Sequence, residues 1–264
     1  MQELRTVLSV KEGAAMKRIL HLCCVVVMVL SCSGGGGGGG GGGNQPVSPN
    51  IATTDLEDIE GNKYGVSMIG NQIWMTENLR TVTFRNGAWM LTGPYDSLEW
   101  AAGLGAASCI YPHASVGLSS AGEVITAYGR LYNWNAVNDS RGLCPEGWHV
   151  PTRADWEELI AHLGGESVAG GKLKSTRTDP ITGHPRWDSP NTGASDYAFH
   201  GLPGGLRSGI GEFLEIGQTA SFWSSTESGS FAGALQIFYD SESAIYYPVK
   251  MKASGFSVRC IHGN

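Results

Sequence analysis

Residues 144–165 have the sequence CPEGWHVPTRADWEELIAHLGG, and this stretch decides the fold. Thr152 and Asp155 have the spacing of a capping box, in which each side chain bonds the backbone amide of the other at a helix start. After them, apolar residues recur at the spacing of one helix face, at Trp156, Leu159, Ile160 and Leu163. The Gly164-Gly165 pair is typical of a left-handed helix end.

The residues just before this helix predict a short strand. Trp148 and Val150 flank the polar His149, and this alternation is typical of a half-buried strand with the histidine on its outer face. The whole stretch therefore predicts a strand, a tight turn and a capped helix, with Cys144 at its head.

Composition and charge exclude several classes of partner. The chain has 264 residues, a net charge of −6 and 16% charged residues. Four basic and two acidic residues lie before Cys32, so the remainder has 14 basic and 22 acidic residues. An acidic surface without a basic run argues against binding to nucleic acid or to anionic lipid headgroups.

Residues 1–31 have the pattern of an export signal. Lys17 and Arg18 precede the apolar run Leu22–Leu30, which is too short to span a bilayer but fits a signal peptide. Ser31 then stands directly before Cys32, an ending that resembles the lipobox of bacterial lipoproteins, in which the cysteine is lipidated. The alternative is cleavage elsewhere, with Cys32 an incidental thiol.

A flexible tether follows over residues 32–52. Gly34–Gly43 is an uninterrupted glycine run, and about 20 residues of such chain reach about 25 Å. The predicted location is the cell envelope, with the chain attached to the outer membrane through its lipid. Both orientations stay open, towards the periplasm and towards the cell exterior.

Residues 53–264 are predicted to form a single loop-rich α+β domain. The Gly70-Asn71 pair between two strand-like runs predicts a hairpin. Helices are predicted at Ser97–Ala102, at Tyr128–Val137 and at the central element, the last two being the principal ones. Later short runs predict a small, mostly antiparallel sheet, at Ala198–Leu202, Phe222–Ser225, Ala234–Tyr239, Ala244–Val249 and Ser257–Ile261.

Six ordered motifs carry a family likeness: Ile69–Leu79, Tyr128–Trp134, Cys144–Thr152, Leu202–Gly205, Phe222–Thr226 and Ser257–Ile261. Together they resemble the Fibrobacter succinogenes major paralogous domain, a family of secreted bacterial lipoproteins without a settled activity. Two of the motifs are also similar to the helix entry and closing strand of C-type-lectin-like and formylglycine-generating enzyme folds. That likeness implies core helices packed on a twisted sheet, with the chain ends close together.

Three cysteines follow Cys32, so parity leaves one of them over. In an exported protein a disulfide is expected, and Cys144 with Cys260 is the favoured pair because one heads the central element and the other lies in the closing strand. Cys109 is then free. The alternative is that all three thiols are reduced and buried.

No catalytic or metal-binding constellation is evident in the sequence. Formylglycine-generating enzymes use two cysteines close together near the C-terminus, whereas this chain has only Cys260 there. The histidines lack zinc-ligand spacing, and no D-x-D-x-D-G calcium loop occurs. We therefore expect no enzyme activity, no cofactor and no metal, although calcium held by scattered oxygens stays open.

Aromatic residues in the last third of the domain suggest a ligand patch: Trp187, Tyr197, Phe222, Trp223, Phe231, Tyr239, Tyr246 and Tyr247. The alternative is that half or more of them belong to the core, because the alternation in Phe222–Ser225 and Ala234–Tyr239 would bury one face. Aromatic rings on loops suit sugar stacking or protein contacts, and a guanidinium suits hydroxyls or carboxylates. The sequence thus predicts a shallow binding patch that includes Arg207, Tyr246 and Tyr247.

The expected function is a membrane-anchored, non-catalytic binding module for a glycan or for a surface protein. The alternative is a structural or assembly component of the cell surface without a soluble ligand, and a third hypothesis is an enzyme similar to formylglycine-generating enzymes.

Overall fold

Short strands and helices alternate along the part of the chain that the computed structural model describes, residues 56–177, 182–193 and 197–263. The helices there are α1 Ser97–Ala101, α2 Ala121–Tyr128, α3 Trp134–Val137, α4 Arg153–His162 and α5 Glu166–Leu173, with a 3₁₀ turn at His113–Val116. The strands are β1 Leu56–Glu57, β2 Lys63–Tyr64, β3 Val66–Ile69, β4 Gln72–Met75, β5 Leu91–Thr92, β6 Ala107–Cys109, β7 Leu131–Tyr132, β8 Trp148–His149, β9 Leu206–Arg207, β10 Phe213–Leu214, β11 Thr219–Ser228, β12 Phe231–Phe238, β13 Ala244–Met251 and β14 Ile261–His262.

The central helix α4 has the predicted capping box. Thr152 Oγ1 accepts a hydrogen bond from Asp155 N at 3.2 Å, and Asp155 Oδ2 accepts one from Thr152 N at 2.7 Å. Its apolar face is buried through Trp156 and Leu159. The helix ends before Gly164-Gly165, where both φ angles are +99°, in the left-handed region that favours glycine.

The three longest strands form a meander, in the order β11-β12-β13, between two parts of the core. On one face, Phe222 and Leu235 pack with the buried residues of α4 and α5. On the other, Trp223 and Ala234 pack around Tyr132. This two-sided burial explains why six consecutive residues are buried in each of β11 and β12.

A second sheet, in the order β3-β4-β14-β8, brings the last strand beside the first long hairpin. The turn at Gly70-Asn71 joins β3 and β4, as the sequence predicts. Ile261 pairs with Trp74 on one side and with His149 on the other. The end of the described chain is thereby fixed against strands from the beginning and the middle of the domain.

The predicted helix over Tyr128–Val137 is not one helix. Helix α2 ends at Tyr128, since Gly129 has a φ of +77°, and a Cβ there would lie 2.7 Å from the Asn78 Cβ. Leu131 and Tyr132 then pair with β6, and Asn133 caps the short helix α3. The expectation of two principal helices is therefore wrong: the described chain is α+β, β-rich and divided among several small sheets.

Asn78 joins three of the six motifs. Its Oδ1 accepts hydrogen bonds from Arg259 Nε at 3.2 Å and Nη2 at 2.6 Å. Its Nδ2 donates to the Tyr128 carbonyl at 2.9 Å and to Ser257 Oγ at 3.2 Å. One buried amide therefore connects the end of the first hairpin, helix α2 and the closing segment.

Trp223 extends this network to a further motif. Its backbone amide donates to the Ser257 carbonyl at 3.0 Å, and its indole nitrogen donates to the Tyr132 carbonyl at 2.6 Å. The motif residues thus contact one another across the core. We call the part of the domain that these contacts hold together the frame. No helix within the described ranges is long and apolar enough to cross a membrane.

Candidate functional site

A groove of about 770 Å³ lies between helix α2 and the chain around His184. Its volume falls within the range of ligand sites in proteins. The residues that line it lie outside the six motifs: Leu118, Ser120, Gly122, Glu123, Thr126, Ala127, Arg177, Thr182, His184 and Pro185. The groove is therefore formed by segments that are attached to the frame but contain none of the motif residues.

Helix α2 forms one wall because its two sides differ in polarity. Val124 and Tyr128 are buried in the core, while Thr126 is exposed towards the groove. Ser120 Oγ caps the helix by accepting a hydrogen bond from Glu123 N at 3.3 Å, and Thr126 Oγ1 donates to the Gly122 carbonyl at 2.9 Å. These hydroxyls thus support the helix backbone.

His184 anchors the opposite wall. Its Nδ1 lies 2.5 Å from the Tyr128 hydroxyl, and the imidazole also bonds the backbone of Val116. Burial and the nearby Arg186 charge lower the pKa of His184, so the ring is neutral at pH 7.

Arg177 and Glu77 place an ion pair at the edge of the groove, with Nη1 and Oε1 3.2 Å apart. Burial alone would raise the pKa of Glu77, but hydrogen bonds from Thr76 and Gly65 and the charges of Arg259 and Arg177 hold it below its ordinary value. The carboxylate is therefore ionised at neutral pH, and it fixes the guanidinium that faces the groove.

His200 lies next to this ion pair in a strained conformation. Its φ is +50°, which is uncommon for a residue other than glycine. Its carbonyl accepts a hydrogen bond from Arg259 Nη2 at 3.2 Å. Burial and the charges of Arg177 and Arg259 lower the pKa of His200, so His200, like His184, is neutral at pH 7.

Arg207 is not part of a surface patch, contrary to the prediction. Its side chain is 1% exposed. Nη2 donates to the carbonyls of Tyr95 and Asp96, at 2.7 and 3.0 Å, and the guanidinium lies 4.5 Å from the ring centre of Trp100 and 4.7 Å from that of Phe213. The predicted ligand fork is therefore wrong, because the guanidinium is buried and its Nε and Nη2 donate to backbone carbonyls.

Tyr246 and Tyr247 do not form one patch either. They are neighbours on β13, where Tyr246 pairs with Leu235 and Tyr247 with Ala234, so their rings point to opposite faces of the sheet. The Tyr246 ring lies across Gly233, and both tyrosines are half-buried. A shared site is excluded by the strand geometry, and binding by either ring alone stays a prediction.

Cys144 and Cys260 are joined by a disulfide with a Cα–Cα distance of 6.0 Å, the pairing that the sequence favoured. Cys109 is a buried free thiol; burial raises its pKa to about 11, although Arg207 opposes the shift. Cys32, residues 1–31 and the tether at 32–52 lie outside the described residues.

In the described ranges, no group of three or more His, Cys, Asp or Glu side chains could hold a metal ion.

Sequence reasoning missed both the groove and one exposed aromatic residue. The groove walls come from segments about 60 residues apart, and nothing in their local patterns shows that they meet. Trp89 is 78% exposed, but in the sequence it precedes all of the aromatic residues, Trp187 to Tyr247, that suggested a ligand patch. The exposure of Trp89 could have been predicted from the turn RNGAW at residues 85–89, because a residue directly after a tight turn is often exposed.

A sequence model of the Fibrobacter succinogenes major domain matches residues 68–262, about three quarters of the chain. The curated proteins contain no match to this chain, and the solved structures contain none either.

Proposed function

We propose that this chain, which belongs to the Fibrobacter succinogenes major domain family, is a bacterial envelope lipoprotein whose domain binds a ligand without catalysing a reaction. The observation that carries the proposal is the groove of about 770 Å³, whose lining lies outside the motifs that hold the frame. Binding sites are commonly built in this way, on loops positioned by a rigid scaffold.

The lining of the groove favours a protein segment over a glycan as its ligand. Leu118, Ala127 and Pro185 supply apolar surface, and Arg177 and Glu123 supply charges of both signs. Such a mixture suits peptide side chains together with a polar backbone. None of the described residues that line the groove is a Trp, Tyr or Phe, whereas sugar sites use such rings for stacking.

We further infer a C-type-lectin-like fold. Three features of the described residues support it: mostly antiparallel short sheets, a last strand fixed beside the first hairpin, and a disulfide between the central element and the closing strand.

Filling the groove tests the binding proposal. Random dodecapeptides displayed on phage are selected on the purified full chain, and synthetic copies of those retained are titrated by calorimetry. Thr126→Trp places an indole in the groove from an exposed helix position, and we expect it to weaken peptide binding about tenfold or more, a loss of about 1.4 kcal/mol. Glu158→Trp, at an exposed position of α4, is the matched control and leaves binding unchanged.

Two results would contradict the proposal. Equal affinity of the peptides for Thr126→Trp and for the wild type would place their site elsewhere. Failure to retain any peptide, with no signal on a glycan array, would favour the alternative that the domain is a structural component of the cell surface.

The lipid anchor is tested separately through Cys32. We expect Cys32→Ala to move the protein from the membrane fraction to the soluble fraction without changing its melting temperature, because a glycine tether separates the anchor from the domain. Fractionation and mass spectrometry of the N-terminal peptide measure this. A wild-type peptide without lipid, or a variant still in the membranes, would refute the anchor.

A further inference from the structure

Trp89 presents an indole ring to solvent from a rigid hairpin. Its exposed fraction of 78% is unusual, since tryptophan is highly buried on average. The hairpin is closed by hydrogen bonds from Phe84 N to the Ala88 carbonyl at 2.8 Å and from Met90 N to the Val82 carbonyl at 2.9 Å. The ring is therefore displayed at a fixed position, with little backbone freedom to lose when a ligand binds.

The same hydrogen bonds place Trp89 beside a cavity. They make Thr83 and Trp89 a non-hydrogen-bonded antiparallel pair, the arrangement in which facing side chains lie closest on one side of the strands. Thr83 lines a cavity of about 210 Å³. The indole does not itself line the cavity, but it is the cross-strand neighbour of Thr83, which does.

The cavity has the polar groups that recognise hydroxyls. Glu57, Arg85 and Glu146 line it, and Arg85 is held there by a hydrogen bond from its Nε to the Cys144 carbonyl at 3.2 Å. Asp58 also lines it, but its carboxylate is used by Tyr64 and by its own turn. Carboxylates and a guanidinium can accept from and donate to sugar hydroxyls.

We propose that the Trp89 ring and the rim of this cavity bind a neutral hexose residue of a glycan. The apolar face of the sugar stacks on the indole, and its hydroxyls reach Glu146 and Arg85. The volume equals that of about seven water molecules, enough for part of one sugar ring and too small for a folded partner. An excess of carboxylates disfavours anionic sugars and phosphate groups.

The proposal adds a second site to the proposed binding function and shares no residue with the groove. Gluco-, manno- and galacto-configured hexaoses serve as probes, titrated against the full chain by calorimetry and by tryptophan fluorescence. We expect at least one to bind, and Trp89→Ala to weaken its binding about tenfold or more. Trp89→Phe retains part of the affinity because it keeps a ring.

Two variants distinguish this site from the groove and from exposed apolar surface in general. Leu98→Ala removes a comparably exposed apolar side chain, 81% exposed, and leaves hexaose binding unchanged. Thr126→Trp, which blocks the groove, also leaves it unchanged, so either proposal can fail alone. Absence of binding by all three hexaoses at millimolar concentration overturns the inference, and so does equal binding by Trp89→Ala and the wild type.

Discussion

We expect the double variant Cys144→Ala/Cys260→Ala to unfold with a free energy about 4–5 kcal/mol below that of the wild type. The disulfide joins residues 116 positions apart, so it removes a large closed loop from the freedom of the unfolded chain. The chain-entropy relation gives this magnitude for a loop of that length. For a domain built from short elements, this is a large share of a total stability of about 5–15 kcal/mol.

Urea unfolding followed by tryptophan fluorescence measures the effect, and reduction supplies the control. A reductant should lower the stability of the wild type to near that of the double variant and leave the double variant unchanged. A double variant within about 1 kcal/mol of the oxidised wild type would show that the unfolded chain gains little freedom when the bridge is absent.

The features that the sequence predicted well depend on local chemistry. Thr152 and Asp155 form the expected capping box, and Gly70-Asn71 forms the expected hairpin turn, because each needs only residues a few positions apart. The cysteine pairing followed from the place of each residue at an element that the sequence already showed.

The predictions that failed depended on contacts distant in sequence. The spacing of Leu131, Trp134 and Val137 fits a helix, but Asn78 packs against Gly129 and the β6 strand pairs with Leu131, so a strand forms there instead. Arg207 lies between Leu206 and Ser208 in a glycine-rich stretch of the sequence, and nothing local shows that its guanidinium bonds the carbonyls of residues 95–96. The groove likewise needs two distant segments to meet.

Three buried cations explain how such a loop-rich domain satisfies its backbone. Irregular segments leave backbone carbonyls without helix or strand partners, and each buried carbonyl without a hydrogen-bond donor destabilises the folded state. Lys174 is fully buried and donates to the carbonyls of Phe238, Tyr239 and Ser241 at 3.0–3.3 Å. Burial lowers the pKa of Lys174 to about 8, and the charges of Asp240 and Glu242 oppose this shift. Arg207 and Arg259 do the same for other loops. These cations take the place of regular hydrogen-bond ladders.

Arg259 is the most heavily used of the three. It is 0% exposed and donates to the carbonyls of Phe199, His200 and Met75 and to Asn78 Oδ1. Its guanidinium lies 4.5 Å from the ring centre of Phe199. Burial lowers its pKa to about 9, with the Glu77 carboxylate opposing the shift, so the group stays charged at neutral pH.

We therefore expect Arg259→Met to lower the free energy of unfolding by about 3–5 kcal/mol, since the carbonyls and the Asn78 amide oxygen would remain buried without donors. Arg259→Lys keeps a charge but has a single ammonium that cannot reach all four acceptors, so it should recover only part of the loss. Arg153→Met, which removes an exposed arginine that pairs with Glu157, is the matched control and should change stability little. Urea unfolding measures all three variants. A stability of Arg259→Met within about 1 kcal/mol of the wild type would mean that water reaches these carbonyls. The hydrogen bonds of Asn78 and Arg259 would then not be what holds the motifs together.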